Sequence, residues 1–168
     1  MVEVKNLKKS FGNKVVLDGL NINIDQGELY GLLGPNGAGK TTAINIICGL
    51  LKADSGSVTL KGKPQSLQSK NILGVVPQEI ALYPTLTARE NLLVYGGICG
   101  LRKNELNEGI NRWLSVFGLE KSRHQQVGRF SGGMKRRLNL IAGLLHNPQI
   151  LFLDEPTGGV DPISRKNF

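Results

Sequence analysis

Cysteine, aromatic residues and long apolar runs are all scarce in this chain of 168 residues. The two cysteines, Cys48 and Cys99, are too few for a disulfide framework or a four-cysteine zinc site. Aromatic residues make up 5% of the chain, which gives little support to a base-stacking platform for nucleic acids. No apolar run approaches the roughly 20 residues of a membrane-spanning helix, and the first residues lack the apolar stretch of a secretory signal. These absences predict a soluble, cytoplasmic protein.

Acidic residues are outnumbered by basic ones, and the formal charge is +8. Such a balance fits a nucleic-acid partner, an anionic membrane, or simply a basic surface on a soluble protein. The one dense basic run is Lys135-Arg136-Arg137, which we interpret as a solvated helix face. We therefore favour a basic surface and do not expect a nucleic-acid partner.

The length suits one domain, and the apolar pattern indicates both strands and helices. Alternating or continuous apolar residues predict strands near 2–4, 20–24, 29–33, 57–60, 72–76 and 150–153. Helical spacing predicts helices through 44–47, from a capping box at Thr87 and Glu90, through 106–117 and through 134–145. We expect Trp113 and Phe117, which share one helical stripe, in the core, and His124 and His146 at the surface.

A glycine-rich segment at 34–41 reads Gly-Pro-Asn-Gly-Ala-Gly-Lys-Thr and fits the phosphate-binding pattern G-x-x-x-x-G-K-[ST] in full. Glycines let backbone N–H groups wrap around a phosphate, and the N-terminus of a following helix adds positive potential. Lys40 is placed to reach the β- and γ-phosphates, and the Thr41 hydroxyl to bind Mg²⁺. A predicted strand before the segment and a predicted helix after it disfavour an incidental turn. The predicted nucleotide contacts are Gly34, Pro35, Asn36, Gly37, Ala38, Gly39, Lys40, Thr41 and Thr42.

A pair of carboxylates, Asp154 and Glu155, follows the predicted apolar strand at 150–153. Asp154 is suited to act on a bound Mg²⁺, and Glu155 to polarise an attacking water. Taken alone, the pair would be read as an ordinary acidic turn, but the complete P-loop upstream reverses that preference. Together the two segments predict an α/β fold of the P-loop NTPase type, with a mostly parallel sheet flanked by helices.

Three further segments follow the P-loop in a definite order. They are Val76-Pro77-Gln78-Glu79, then Phe130-Ser131-Gly132-Gly133-Met134, then Leu153-Asp154-Glu155-Pro156-Thr157. In this order the chain resembles the ATPase subunits of ABC transporters, from Val2 to its last residue. The serine-glycine-glycine signature separates that family from other P-loop ATPases. The resemblance implies a single ABC ATPase domain over 1–168, incomplete at its C-terminus, with an N-terminal antiparallel part and a helical subdomain at about 85–145.

The resemblance also implies roles for individual residues. Phe11 resembles the aromatic residue that stacks on adenine, and Gln78 the residue that touches Mg²⁺ and the attacking water. The signature, Ser131, Gly132, Gly133 and Met134, would contact the γ-phosphate bound by a second ATPase subunit, so that two ATP molecules lie between two domains. Met134 replaces the usual glutamine, as in exporter-type members, and Asp161 resembles the acid through which the subunits communicate. The histidine that the family places beyond Glu155 has no counterpart here, because His124 and His146 both lie upstream.

These observations predict an ATP-binding subunit of an ABC transporter, which uses ATP and Mg²⁺ and couples hydrolysis to export through a separate integral membrane subunit. Its catalytic residues would be Lys40, Gln78 and Glu155, and its metal ligands Thr41, Gln78 and Asp154. We expect it at the inner face of the cell membrane. Two alternatives stay open: a soluble ABC-type ATPase acting on ribosomes or DNA, and a truncated ATP-binding fragment without hydrolysis. We expect the 168 residues alone to aggregate and to turn over little ATP.

Overall fold

The computed structural model describes residues 1–154, without the side chains of Leu67, Gln68 and Lys70. The chain divides into two compact units, the first from Met1 to Lys70 and the second from Asn71 onward. None of the helices within residues 1–154 is long and apolar enough to cross a membrane.

The first unit is built on a four-stranded antiparallel sheet. Its strands are β1 (Val2–Phe11), β2 (Lys14–Ile24), β3 (Ser55–Leu60) and β4 (Lys63–Pro64), in the order β2-β1-β3-β4. A tight hairpin joins the first two strands, with Phe11 opposite Lys14 at its closed end and Val2 opposite Ile24 at its open end. The expected N-terminal antiparallel part is therefore confirmed.

A helix completes the core of the first unit. This helix, α1 (Lys40–Ile47), buries one apolar stripe, and the strands bury alternate residues such as Val2 and Val4 or Val58 and Leu60, as a sheet with one covered face requires. The buried apolar residues of this unit are Val2, Val4, Leu7, Leu17, Ile22, Ala43, Ile46, Ile47, Cys48, Val58 and Leu60. The predicted helix through 44–47 is thus confirmed.

The strand predicted at 29–33 is wrong. No strand of residues 1–154 pairs with this segment, and Leu29 and Leu33 are 98% and 93% exposed. Extended backbone becomes a strand only when a neighbouring strand accepts and donates its hydrogen bonds. The apolar run therefore precedes the P-loop as irregular backbone.

The second unit combines helices with a pair of parallel strands. Strands β5 (Leu73–Val76) and β6 (Ile150–Leu153) lie side by side, with Val76 opposite Leu153. The helices are α2 (Ala88–Ile98), α3 (Lys103–Val116) and α4 (Gly132–Leu144), and short 3-10 segments run over Glu120–Ser122 and Val127–Arg129; a further 3-10 segment, Leu67–Ile72, spans the boundary between the units. The parallel pair and the helical segment agree with the fold class expected from the sequence.

One apolar cluster holds the three helices of the second unit together. Its buried members are Ala88, Leu92, Leu106, Ile110, Leu114, Leu119, Val127, Phe130, Leu138, Ile141, Ala142 and Leu145. Trp113 and Phe117 pack against this cluster as predicted. The capping box is confirmed as well, because the Thr87 hydroxyl accepts from the Glu90 N–H and the Glu90 carboxylate accepts from the Thr87 N–H.

The interpretation of Lys135-Arg136-Arg137 as a solvated face is wrong for the middle residue. Arg136 is 1% exposed, and Arg137 is half-buried with one guanidinium N–H donated to the Phe117 carbonyl at 2.9 Å. The reason is that α4 packs against α2, α3 and β5, so little of its circumference is left to solvent. His124 is exposed as predicted, whereas His146 is half-buried, its Nε2 lying 2.9 Å from the Leu73 carbonyl oxygen.

Candidate nucleotide-binding site

The P-loop ends at the first residue of α1, where the backbone prepares an anion site. Gly39, the N-cap residue, lies in the left-handed region, with φ 88°, and has no side chain with which to cap the helix. The first N–H groups of a helix have no partners within the helix, and such a helix start attracts anions. This is the arrangement that binding of a phosphate group requires.

Gly39 cannot be replaced without distorting the loop. A Cβ at this position would lie 2.9 Å from the Val16 carbonyl oxygen and 2.9 Å from Leu17 Cδ2. The φ of 88° is also one that residues with side chains rarely adopt. The loop therefore passes so close to β2 that only glycine fits.

Lys40 is turned back over the loop that precedes it. Its ammonium donates to the Gly34 carbonyl at 2.8 Å and to the Pro35 carbonyl at 3.0 Å. The Ala38 N–H donates to the same Pro35 carbonyl at 3.1 Å, which closes the turn. The structure thus brings together the two ends of the predicted motif, with a positive charge over the ring of backbone. Asn36 and Gly37 are exposed at its tip.

The remaining predicted contacts of the first unit lie on α1 and at the end of β1. Thr41 is exposed and Thr42 half-buried in the first turn of α1. Phe11 is 50% exposed, and the Lys9 ammonium lies 5.4 Å from its ring centre. An exposed ring at a strand end is free to stack on a base.

An ion pair holds Lys9 beside that ring. The Lys9 ammonium lies 2.8 Å from one Asp54 carboxylate oxygen, and the Ser10 N–H donates to the other at 2.7 Å. The hydrogen bond from Lys9, followed by that from Ser10, lowers the pKa of Asp54. The carboxylate thus stays charged and joins β1 to the chain just before β3.

In the second unit, two predicted site residues follow neighbouring parallel strands. Gln78 comes after β5 and Asp154 after β6, and the Asp154 N–H donates to the Val76 carbonyl at 3.0 Å. Carboxyl ends of parallel strands form one edge of a sheet, which is where α/β folds place ligand-binding residues. Gln78 is exposed and Asp154 is 7% exposed.

The signature segment forms the beginning of α4. The Ser131 hydroxyl caps this helix by accepting from the Met134 N–H at 3.3 Å. A Cβ on Gly132 or Gly133 would meet nothing within 4 Å, so the backbone here is open to an approaching group. Met134 itself is half-buried against the helical cluster.

The most deeply buried charged side chain in the described part of the chain, Arg136, is not among the predicted site residues. Arg136 donates to the carbonyls of Pro77, Gln78 and Asp154, and the buried Asn139 amide donates weakly to Pro77 at 3.5 Å. No sequence signal could have separated Arg136 from its basic neighbours, because its partners are backbone atoms 18 to 59 residues away. The predicted residues Glu155 and Asp161 lie outside the described residues.

Comparison with known protein sequences tests the resemblance to the ABC transporter family. A sequence profile of the family described as ABC transporter matches residues 17–158. The linearmycin resistance ATP-binding protein LnrL of Bacillus subtilis is 45% identical over all of this chain and 55% of its own length. The Nod factor export ATP-binding protein I of Sinorhizobium fredii is 46% identical over 98% of this chain and 49% of its own. The chain thus spans about half the length of these curated relatives.

Solved structures share the fold. An ATP-binding subunit of an ABC transporter superposes with a TM-score of 0.85 at 30% identity, over 99% of this chain and 70% of that one. CbiO1 from Clostridium perfringens, described as part of the ABC transporter complex cbiONQ, gives a TM-score of 0.87 at 27% identity, over 99% of this chain and 69% of that one. The P-loop NTPase fold expected from the motifs is therefore confirmed, and the chain belongs to the family of ABC transporter ATP-binding proteins.

Proposed function

We propose that the complete protein is the ATP-binding subunit of an ABC exporter, which hydrolyses MgATP and couples the reaction to transport through a separate membrane subunit. The observation that carries this proposal is the P-loop, where Lys40 lies over the loop carbonyls at 2.8 and 3.0 Å and α1 begins without a side-chain cap. Export is supported by the similarity to the Sinorhizobium relative, a Nod factor export ATP-binding protein. The exporter-like Met134 in the signature agrees with this direction.

The first unit suits the phosphates and the base of the nucleotide. On binding, the Lys40 ammonium would exchange its two carbonyl partners for phosphate oxygens, and the N–H groups of α1 would receive the negative charge. Both interactions become stronger as negative charge increases on the γ-phosphoryl group, so they stabilise the transition state as well as the bound nucleotide. Phe11, with its exposed ring, would stack on adenine.

The residues present also fit Mg²⁺. A threonine hydroxyl in the first turn of α1 and a carboxylate at the end of β6 are oxygen donors of the kind that this ion prefers. Thr41, Asp154 and Gln78 are the residues we propose to hold it. When bound, Mg²⁺ supplies neutralisation of the charge on the β- and γ-phosphates.

Water activation and assembly complete the proposal. Glu155, with Gln78, would orient and polarise the attacking water, as the resemblance implies. Ser131, Gly132, Gly133 and Met134 would contact the nucleotide of a second ATPase subunit, for which the open backbone at the start of α4 leaves room. Asp161 would take part in communication between the two ATPase subunits. Binding to a membrane subunit would place the protein at the inner face of the cell membrane.

The test is the variant Lys40→Ala in the complete protein, compared with Lys52→Ala, which removes a charge from an exposed position of the same unit. Nucleotide affinity and ATP turnover are measured by equilibrium titration and phosphate release. We expect Lys40→Ala to lower turnover at least about 100-fold, since the missing charge is one that phosphoryl transfer needs, and Lys52→Ala to leave it within about two-fold.

Unchanged turnover in Lys40→Ala would overturn the proposal. The second measurement identifies what co-purifies with the complete protein. Recovery of ribosomal RNA in place of a membrane protein would favour the ATPase that acts on ribosomes over the exporter subunit.

A further inference from the structure

Arg136 is the largest side chain in the described part of the chain to be almost wholly buried, at 1% exposure. A guanidinium keeps its charge at any pH that proteins tolerate. Burial of such a charge is unfavourable unless several hydrogen bonds replace the lost water. The acceptors of these hydrogen bonds therefore show which backbone segments the guanidinium fixes in place.

The bonds run to the two strand ends that carry the proposed metal and water ligands. One terminal nitrogen, Nη1, donates to the Gln78 carbonyl at 2.7 Å and to the Pro77 carbonyl at 3.1 Å. The other, Nη2, donates to the Asp154 carbonyl at 3.3 Å. The planar guanidinium thus bridges the segment after β5 and the residue after β6.

Arg136 itself belongs to the first turns of α4, five residues after the Ser131 cap. The rigid helix backbone fixes the start of its side chain, and the carbonyls fix its end. A shift of α4 along its axis would therefore move the backbone of Gln78 and Asp154 or break these bonds. One side chain connects the signature helix to both strand ends.

We propose that Arg136 is a positioning residue, which holds the Gln78 and Asp154 backbones in the geometry that Mg²⁺ and water require and transmits movement of the signature helix to them. In this role it acts on the reaction through the backbones of Gln78 and Asp154, without touching nucleotide or metal. The proposal rests on the proposed function for the roles of Gln78 and Asp154.

The experiment compares Arg136→Gln and Arg136→Lys with Lys135→Gln in the complete protein. Lys135→Gln removes one charge from the neighbouring position of the same helix, where the side chain makes no hydrogen bond within residues 1–154. Arg136→Met serves as a second variant in case Arg136→Gln does not fold, because a flexible apolar side chain fills much of the same space without a polar group that needs its own partners.

Two quantities are measured. The first is amide hydrogen exchange over 77–80 without nucleotide, which we expect to accelerate at least about ten-fold in Arg136→Gln and not in Lys135→Gln. The second is the Mg²⁺ concentration at half-maximal turnover, which we expect to rise about ten-fold, as is typical when a group supporting a metal ligand is removed. Arg136→Lys keeps the charge but lacks the planar guanidinium that reaches two strand ends at once, so we expect a half-saturating Mg²⁺ concentration between those of wild type and Arg136→Gln.

The half-saturating Mg²⁺ concentration does not depend on how much protein is folded, so a merely structural role would lower total turnover and leave this concentration unchanged. That result, or unaltered exchange over 77–80, would overturn the inference. If Lys40→Ala retains turnover, the proposed function fails whatever Arg136 does. If Lys40→Ala is inactive and Arg136→Gln behaves as wild type, only this inference fails.

Discussion

The two units hold their functional residues in opposite ways. In the first, the P-loop is closed by its own neighbours, since the Lys40 ammonium binds carbonyls five and six residues before it. In the second, Gln78 and Asp154 are held by Arg136, which lies 58 and 18 residues away from them. The first site is an exposed loop and the second is assembled around a buried charge.

This difference indicates which of the proposed nucleotide-binding residues can adapt. A loop closed by local bonds can exchange them for phosphate oxygens without disturbing distant segments. A carbonyl bound to a buried guanidinium cannot move far unless the helix that bears the guanidinium moves as well or the hydrogen bond breaks. We therefore expect the first unit to govern nucleotide affinity and the second to govern turnover.

The largest effect is expected at Gly39, where the locally closed loop depends on a distant strand. Gly39→Ala would place a Cβ 2.9 Å from the Val16 carbonyl oxygen and force a left-handed φ on alanine. We expect a loss of roughly 2–4 kcal/mol in the free energy of unfolding, the sum of a left-handed backbone cost and an overpacking cost. Nucleotide affinity should fall with it, because the Gly39 backbone begins α1.

Gly37→Ala is the matched control, because Gly37 also has a positive φ but a Cβ there would meet nothing within 4 Å. Its expected cost is about 1 kcal/mol, the backbone cost alone. Urea denaturation of both variants makes the comparison. Equal losses would show that the contact with β2 is unimportant and that the loop is wholly local.

The same difference explains what could be predicted from the sequence. The P-loop was predicted residue by residue, since contiguous residues form both the pattern and the contacts. Thr87 and Glu90 were predicted for the same reason. Arg136 was misjudged because its partners are backbone atoms far along the chain, and the strand expected at 29–33 is absent because strand formation depends on a neighbour rather than on an apolar run. The roles of Gln78 and Ser131 came from the family resemblance alone.

A second prediction concerns Asn91, which clamps the loop before α2 by local bonds inside the second unit. Its amide is fully buried, accepts from the Tyr83 N–H at 2.8 Å and donates to the carbonyls of Tyr83 and Thr87, both at 3.0 Å. Asn91→Ala would remove the acceptor of the Tyr83 N–H and two side-chain bonds to carbonyls, which keep their backbone donors Leu86 N–H and Asn91 N–H, at a cost of about 1–3 kcal/mol. Asn104→Ala, at an exposed position of α3, should change stability little. Equal denaturation midpoints for the two variants would contradict the clamp.

A third, smaller effect concerns the pKa values of two carboxyl groups. Here the carboxylate bound by residues distant in sequence, Asp54, lies in the first unit, and the locally bound one, Glu90, lies in the second. A hydrogen bond from Lys9, followed by one from the Ser10 N–H, lowers the pKa of Asp54. In the second unit the Thr87 N–H, followed by the Thr87 hydroxyl, lowers the pKa of Glu90. A carboxyl whose pKa is lowered by folding stabilises the fold above its unfolded pKa, and this contribution is lost as pH falls through the folded pKa.

Carboxyl NMR titration of the complete protein measures both groups. We expect Lys9→Met to raise the pKa of Asp54 towards its ordinary value and to leave Glu90 unchanged. Thr87→Ala should raise the pKa of Glu90 less, since the backbone N–H, which is the larger cause, remains. A larger rise in the pKa of Glu90 than in that of Asp54 would show that the Lys9 side chain lowers the pKa of Asp54 less than the Thr87 hydroxyl lowers that of Glu90.

The smallest effect concerns the two thiols, one in each unit. Cys48 is 4% exposed, and burial raises its pKa to about 12. Cys99 is exposed at the end of α2, with its sulfur 3.7 Å from His146 Nδ1, and partial burial of its thiol raises its pKa as well. The thiolate is the reactive form, so at pH 8 only about one Cys48 in ten thousand is ionised. We expect one thiol to react with a thiol reagent in the native protein and both to react after unfolding. Cys99→Ser should abolish the native reaction and Cys48→Ser should leave it.

The folded protein keeps the Cys48 thiol protonated at pH values where the unfolded chain ionises it. The free energy of unfolding should therefore decline as pH rises from the ordinary thiol pKa towards 12. Native labelling of Cys48 at the rate of Cys99 would show that the core around α1 opens, which would make the first unit the more mobile of the two.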